Sequence, residues 1–117
     1  MGITYIHAKV VGPKGEVDNV RLLVDSGATY TLLPKDICEA IGLQPKRELQ
    51  FFLADGTTIN RSVSECQILL PEGEGHTPVI MGQEGDHALL GVVTLEILGL
   101  VFNPFNRTLQ QMKMMLA

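Results

Sequence analysis

The feature that most restricts the fold of this chain is a succession of short apolar runs, each soon cut by glycine, proline or Asp-Gly. Ile3 to Val11 is β-rich, Gly12-Pro13-Lys14-Gly15 is a turn by composition, and Val17 to Val24 reads as the returning strand of a hairpin. Tyr30 to Leu33 resumes as a short strand. Pro34, Asp36 and Gly42 then suit the start, first turn and stop of a short helix over Lys35 to Ile41. Leu49 to Ala54 and Thr57 to Val63 flank Asp55-Gly56, the dipeptide of a two-residue type I′ hairpin with positive φ at both central residues. Strand sequence continues from Ser64 to Leu70, and Glu72 to His76, with Gly73 and Gly75, reads as a polar surface loop. Pro78 to Met81 is a short strand, Gly82 to Asp86 a turn, and Ala88-Leu89-Leu90-Gly91 an apolar run meeting a glycine. Val92, Leu95, Ile97 and Leu98 share one broad face of a helix that Gly99 closes. Leu100 to Phe102 is a strand broken by Asn103-Pro104, and Thr108 to Leu116 reads equally as strand or helix. Many short strands, two short helices and no repeats or linkers predict a mostly-β domain, most naturally a small closed β-barrel. At 117 residues the chain fits a single domain over 1–117.

Composition excludes several classes. Forty-five per cent hydrophobic residues suits a packed core and not a disordered chain. No apolar run reaches the roughly 18 uncharged residues of a membrane span. The start, MGITYIHAK, has neither the basic region nor the long apolar core of a signal peptide, and Ile6 breaks the myristoylation pattern. A soluble, cytoplasmic protein is the expectation. Net charge is −4 and Lys46-Arg47 is the only adjacent basic pair, so there is no nucleic-acid footprint. Cys38 and Cys66 make no disulfide scaffold, and His7, His76 and His87 stand far from each other and from any ligand spacing, so neither a metal nor another cofactor is expected. Asn60-Arg61-Ser62 and Asn106-Arg107-Thr108 match the glycosylation sequon, as chance matches in the absence of a secretion signal.

Against this background residues 22–34, LLVDSGATYTLLP, set a carboxylate between two segments that both look buried. Asp25 there is either the cap of a strand-ending turn or a catalytic group. Val24-Asp25-Ser26-Gly27-Ala28-Thr29 resembles the active-site loop of the single-domain, retropepsin-like aspartic proteases. Leu89-Leu90-Gly91, about sixty-five residues later, resembles that fold's hydrophobic-hydrophobic-Gly element before the C-terminal helix. Ala54-Asp55-Gly56-Thr57 falls where the fold carries its flap tip. The order and spacing of all three agree from about Ile3 to Leu109.

The resemblance implies a chemistry. Hydrolysis without a metal or a protein nucleophile needs one carboxylate to take a proton from water and another to protonate the carbonyl oxygen. Two carboxyls about 3 Å apart cannot both ionise, so such a pair shares one proton; the aspartic-protease dyad is the standing example. Asp25 would be the acid or base, Gly27 would bring an N–H to the carboxylates, and Ser26 would hydrogen-bond across to its twin. Ala28 leaves room for substrate backbone. Thr29, Phe52, Ala54, Asp55, Gly56, Thr57 and Ile80 are the further candidate substrate contacts. Phe51 and Phe52 read equally as flap or core residues, and Val79, Ile80 and Met81 as pocket wall or ordinary buried strand. The chain holds a single Asp-[Ser/Thr]-Gly. The family reading therefore requires a C2 homodimer with one Asp25 from each subunit, acting on an extended peptide.

Two positions depart from the retroviral pattern. Thr29 stands where those enzymes usually carry an acidic residue and resembles the pepsin-like and cellular members. Val92 and Val93 stand where a basic residue usually follows the glycine, so the ion pair that commonly supports the dimer is missing. The termini build a dimer sheet in viral enzymes, and Thr108 to Ala117, with Met112, Met114 and Met115, is the candidate for it. The alternative function is a non-proteolytic module of the same fold that binds peptides or mediates dimerisation.

Overall fold

The computed structural model describes residues 3–113 and residue 116. The elements follow as β1 (Tyr5–Gly12), β2 (Gly15–Val24), β3 (Thr31–Leu33), α1 (Lys35–Ala40), β4 (Arg47–Phe52), β5 (Thr58–Leu70), β6 (Gly73–Met81), β7 (Leu89–Leu90), α2 (Val92–Ile97), β8 (Leu100–Asn103) and β9 (Thr108–Gln111). Seven strands form one sheet in the order β1-β2-β7-β3-β6-β5-β4, and β1 pairs again with β5. That second pairing, Lys9↔Leu69 to Val11↔Gln67, closes six of the strands into a ring from which β4 projects. A mostly-β closed architecture with two short helices is what the run of short strands calls for. Among the described residues, closure leaves open edges chiefly on the projecting β4–β5 hairpin and the small β8–β9 hairpin.

Alternation along the strands fills the ring. Ala8 and Val10 on β1, Val20 and Leu22 on β2, and Cys66, Ile68 and Leu70 on β5 all point inward and are buried. Leu33, Val79 and Leu90 complete the layer from β3, β6 and β7, and Ile41 and Leu43 close one end from the segment after α1. Helix α1 buries Cys38, while α2 buries Thr94 and Leu95 against the same core. Truncating one of the wholly buried residues, such as Leu22 or Leu33, to alanine removes about 2–5 kcal/mol.

Two local expectations are corrected. Glu72 to His76 is not a surface loop: β6 begins at Gly73 and pairs from Leu70↔Gly73 through Val63↔Ile80, so only Pro71-Glu72 turns the chain. Gly73 and Gly75 suit that strand because a Cβ on either would sit tightly against Leu98. The β4–β5 connection is not a two-residue type I′ turn either. Positive φ occurs at Gly56 (88°) and not at Asp55, Gly56 N–H donates to Leu53 O at 2.9 Å, and Leu53 N–H donates to Thr57 O at 2.8 Å. A turn centred on Ala54-Asp55 is followed by one left-handed glycine, the three-residue loop that is the next commonest hairpin closure. At the C-terminus Thr108–Gln111 is strand, and Met112 N–H donates to Gly99 O at 2.7 Å. Met114, Met115 and Ala117, the remainder of the candidate dimer segment, lie outside the described residues. Among the described residues no helix is long and apolar enough to cross a membrane.

Candidate active site

Strand β2 ends at Val24 and hands the chain directly to Asp25. The parallel pairs Leu23↔Leu89 and Val24↔Leu90 bring β7 alongside, and Asp25 N–H donates to Leu90 O at 3.1 Å. On the other side Val24 N–H donates to Thr4 O at 2.9 Å. The loop then curls on itself: Ala28 N–H donates to Asp25 O at 3.1 Å and Gly27 N–H donates to Asp25 Oδ1 at 2.9 Å. Asp25 does cap its own turn, as the plain structural reading required, and its carboxylate is half-buried between the exposed Ser26 and Gly27 and the strand behind.

Helix α2 starts on this loop. Val92 N–H donates to Ala28 O and Val93 N–H to Thr29 O, each at 2.9 Å, so two of the unfilled donors of the first helical turn are satisfied by the Asp25 loop. Gly91 makes the contact close enough. A Cβ there would stand 2.5 Å from Tyr30 C and 2.8 Å from Thr29 O, which no side chain tolerates. Beneath the junction lie three buried hydroxyls. Thr31 Oγ1 accepts from Gly91 N–H at 3.0 Å and lies 2.6 Å from Thr94 Oγ1, which is 2.8 Å from Thr77 Oγ1. Backbone and side-chain bonds thus fix the Asp25 loop from three strands and a helix.

The motif separates two open cavities. Asp25 and Ser26 border one of about 860 Å³, whose apolar wall includes Val24, Val92, Leu95, Leu100, Phe102 and Met112. Gly27, Ala28 and Thr29 border the other, of about 800 Å³, roofed by the β4–β5 hairpin and walled by Leu32, Ile80 and Leu89. Tyr30 meets Phe51 edge-on inside it, with ring centroids 5.9 Å apart. At the hairpin tip the Asp55 carboxylate accepts from Thr57 Oγ1 at 2.7 Å and Thr57 N–H at 3.0 Å. Those two bonds, the hydroxyl's first, hold its carboxyl below the ordinary range.

Residues 14–96 match the sequence profile of the family described as "gag-polyprotein putative aspartyl protease". The chain belongs to the gag-polyprotein aspartyl protease family. No protein of curated function matches it in sequence. Among solved structures it is similar to the EIAV protease complexed with an inhibitor, with a TM-score of 0.61 at 15% identity over 84% of this chain and 89% of that one. It is also similar to a retropepsin-like aspartic protease from Rickettsia conorii, with a TM-score of 0.53 at 21% identity over 87% of this chain and 85% of that one. The fold is retropepsin-like.

Set in this aspartyl protease fold, the candidate residues from the sequence fall into two groups. Asp25, Ser26, Gly27, Ala28 and Thr29 form one continuous rim between the cavities, and Phe52 and Ile80 line the hairpin-roofed one. Ala54, Asp55, Gly56 and Thr57 form the tip of the hairpin and do not line that cavity. Phe51 is half-buried against Tyr30, whereas Phe52 is 77% exposed. Of the strand Val79 to Met81, only Ile80 reaches the cavity; Val79 is core and Met81 packs on the core. Sequence reasoning passed over Tyr30, Arg61 and Asp86, which also line it, and the three threonines beneath. Alternation offered a signal for Arg61, which shares a strand face with Ile59. Nothing in the sequence links Thr31, Thr77 and Thr94.

Proposed function

We propose that the chain is an aspartic endopeptidase whose catalytic dyad is made from Asp25 of two copies related by a two-fold axis. One observation carries this reading. A single Asp-Ser-Gly stands at the border of two open cavities, with its carboxylate aimed by Gly27 N–H and with an apolar face on one side and a hairpin roof on the other. Membership of the aspartyl protease family and the likeness to retropepsin folds support it. The apolar cavity beside Asp25 and Ser26 is the face a second copy would cover. The other cavity would take the substrate, held in extended form beneath the hairpin and free to pair with the open edge of β4.

In the dimer the two carboxyls hold one proton. The ionised one takes a proton from a water as its oxygen bonds to the scissile carbonyl carbon, and the protonated one gives its proton to the carbonyl oxygen. Collapse of the resulting tetrahedral diol breaks the C–N bond as one diol hydroxyl gives its proton back to the ionised carboxylate and the other carboxyl gives its proton to the leaving amine, which restores the one-proton dyad. Ser26 and Gly27 hold the carboxylates in place, and hairpin closure excludes bulk water.

The test is cleavage of a denatured protein or peptide library by the wild type and by Asp25→Asn between about pH 4 and 7. A bell-shaped profile in the wild type and silence in the variant are expected, because the dyad works with one proton. Specific activity should also fall on dilution as two half-sites separate. Equal silence of both proteins across pH and concentration overturns the endopeptidase and leaves a peptide-binding module.

A further inference from the structure

The roof of the substrate cavity carries a charge that the protein itself leaves unused. The register Leu49↔Arg61 and Phe51↔Ile59 places these four side chains on one face of the β4–β5 hairpin, and all four line the cavity. Three are apolar. The Arg61 guanidinium has five donor hydrogens, and among the described residues it makes one hydrogen bond, from Nη1 to Asn60 O at 3.2 Å. Its Nε is buried and has no partner. No carboxylate among the described residues lies within ion-pair distance of it. Asp86, the acidic group on the same cavity, instead accepts from Gln83 N–H at 2.8 Å and is tied to its own turn. Arg47, two pairs further from the tip, points Nη2 at Tyr30 Oη at 3.3 Å and is likewise free of a carboxylate.

The buried Nε without a partner costs stability, while the rest of the half-buried guanidinium faces the open cavity. Such an arrangement persists where a ligand supplies the missing acceptor. A carboxylate fits best, because its two oxygens match the planar fork of the guanidinium, and the apolar surround strengthens the pair. Resting on the endopeptidase reading for the identity of the cleft, we propose that Arg61 determines specificity by binding an acidic side chain of the peptide substrate. A glutamate or aspartate near the scissile bond would reach the Arg61 wall of the cavity, with apolar neighbours filling the pocket between Tyr30, Phe51 and Ile80.

The experiment separates this proposal from the one it rests on by reading binding without cleavage. Extended fluorescent peptides identical except for Glu or Gln at each position in turn are titrated onto Asp25→Asn protein, alone and combined with Arg61→Gln or Arg61→Lys. At one position the Glu peptide should bind roughly ten- to a hundredfold tighter than its Gln twin, the span expected for a charged hydrogen bond in a cleft. Arg61→Gln should bring that ratio to about one, and Arg61→Lys should keep part of it while losing the fork geometry. The ratio should also shrink with added salt. Equal affinities at every position, or a Glu preference that survives Arg61→Gln, overturns the proposal. An acidic preference in binding with no cleavage by the wild type upholds it and overturns the endopeptidase reading alone.

Discussion

Thr31 Oγ1 and Thr94 Oγ1 lie 2.6 Å apart in the interior, joining the strand that follows the Asp25 loop to the helix that packs under it. Each is wholly buried, and each has a second bond: Thr31 to Gly91 N–H, Thr94 to Thr77. The pair fastens the aspartate loop and the glycine junction with hydroxyls in place of aliphatic packing.

Thr31→Val is therefore expected to destabilise by roughly 1–3 kcal/mol, since it leaves the buried Gly91 N–H without its acceptor and takes one of its two bonds from the Thr94 hydroxyl. Thr77→Val removes the bonds to Thr94 Oγ1 and to Pro78 O but leaves no backbone N–H without an acceptor, so it should cost less. Urea midpoints at one fixed protein concentration check the ranking, and equal midpoints for the two variants would refute it.

Two glycines near the cleft should fail differently when replaced by alanine. Gly91→Ala drives a methyl into the Tyr30 and Thr29 backbone, and a loss of about 3 kcal/mol or outright misfolding is expected. Gly56→Ala meets open space but must hold φ near 88°, so the cost is about 1–2 kcal/mol and is confined to the hairpin tip. Thermal unfolding should show a large loss for the first and a small one for the second.

Asp55 ties the hairpin tip to Thr57 through two bonds to one oxygen. If the tip closes over substrate, Asp55→Ala should raise KM several-fold with kcat less affected, whereas Asp55→Asn, which keeps an accepting oxygen, should stay near wild type. Steady-state kinetics on one peptide distinguish the two.

Burial, with a smaller contribution from nearby Cys38, pushes the Cys66 thiol from its ordinary 9.0 up to about 12. Between those values the unfolded chain has lost the proton and the folded chain retains it. The stability contributed by the neutral thiol is whole below about pH 9 and declines as pH rises towards 12, by at most about 1.4 kcal/mol per pH unit. Denaturation of wild type and Cys66→Ala above pH 9 should show the steeper loss in the wild type. Iodoacetamide should leave Cys66 untouched at pH 8 unless the protein is unfolded.

Much of this was legible because it is local. Strand ends, the helix starting after Gly91 and the Asp-Ser-Gly turn are set by residues adjacent in sequence, and β5 reads as strand-like sequence running on from Asp55-Gly56 to Pro71. The start of β6 was not legible, because Gly73, Glu74, Gly75 and His76 have loop composition and become strand only through pairing with Leu70 to Gln67. The hairpin closure was misread since Asp-Gly is compatible with two turn geometries, and strand twist and register decide between them. The hydroxyl chain of Thr31, Thr94 and Thr77 and the isolation of Arg61 are properties of the assembled ring, with no counterpart in any window of sequence.

Strand β5 has a mechanical consequence. One of its edges takes β4 over Thr58–Val63 and β1 over Gln67–Leu69, while β6 covers the other edge from Val63 onward. Val63 is the first residue held on both sides, by Arg47 and Ile80. Beyond it the hairpin is a cantilever, clamped in the ring and loaded at its tip. Raising the roof then means bending a continuous ribbon just past its clamp, with Arg61 and Ser62 at the point of greatest curvature. If the hairpin opens to admit a peptide, its stiffness and the charge proposed to meet that peptide reside in the same short length of chain.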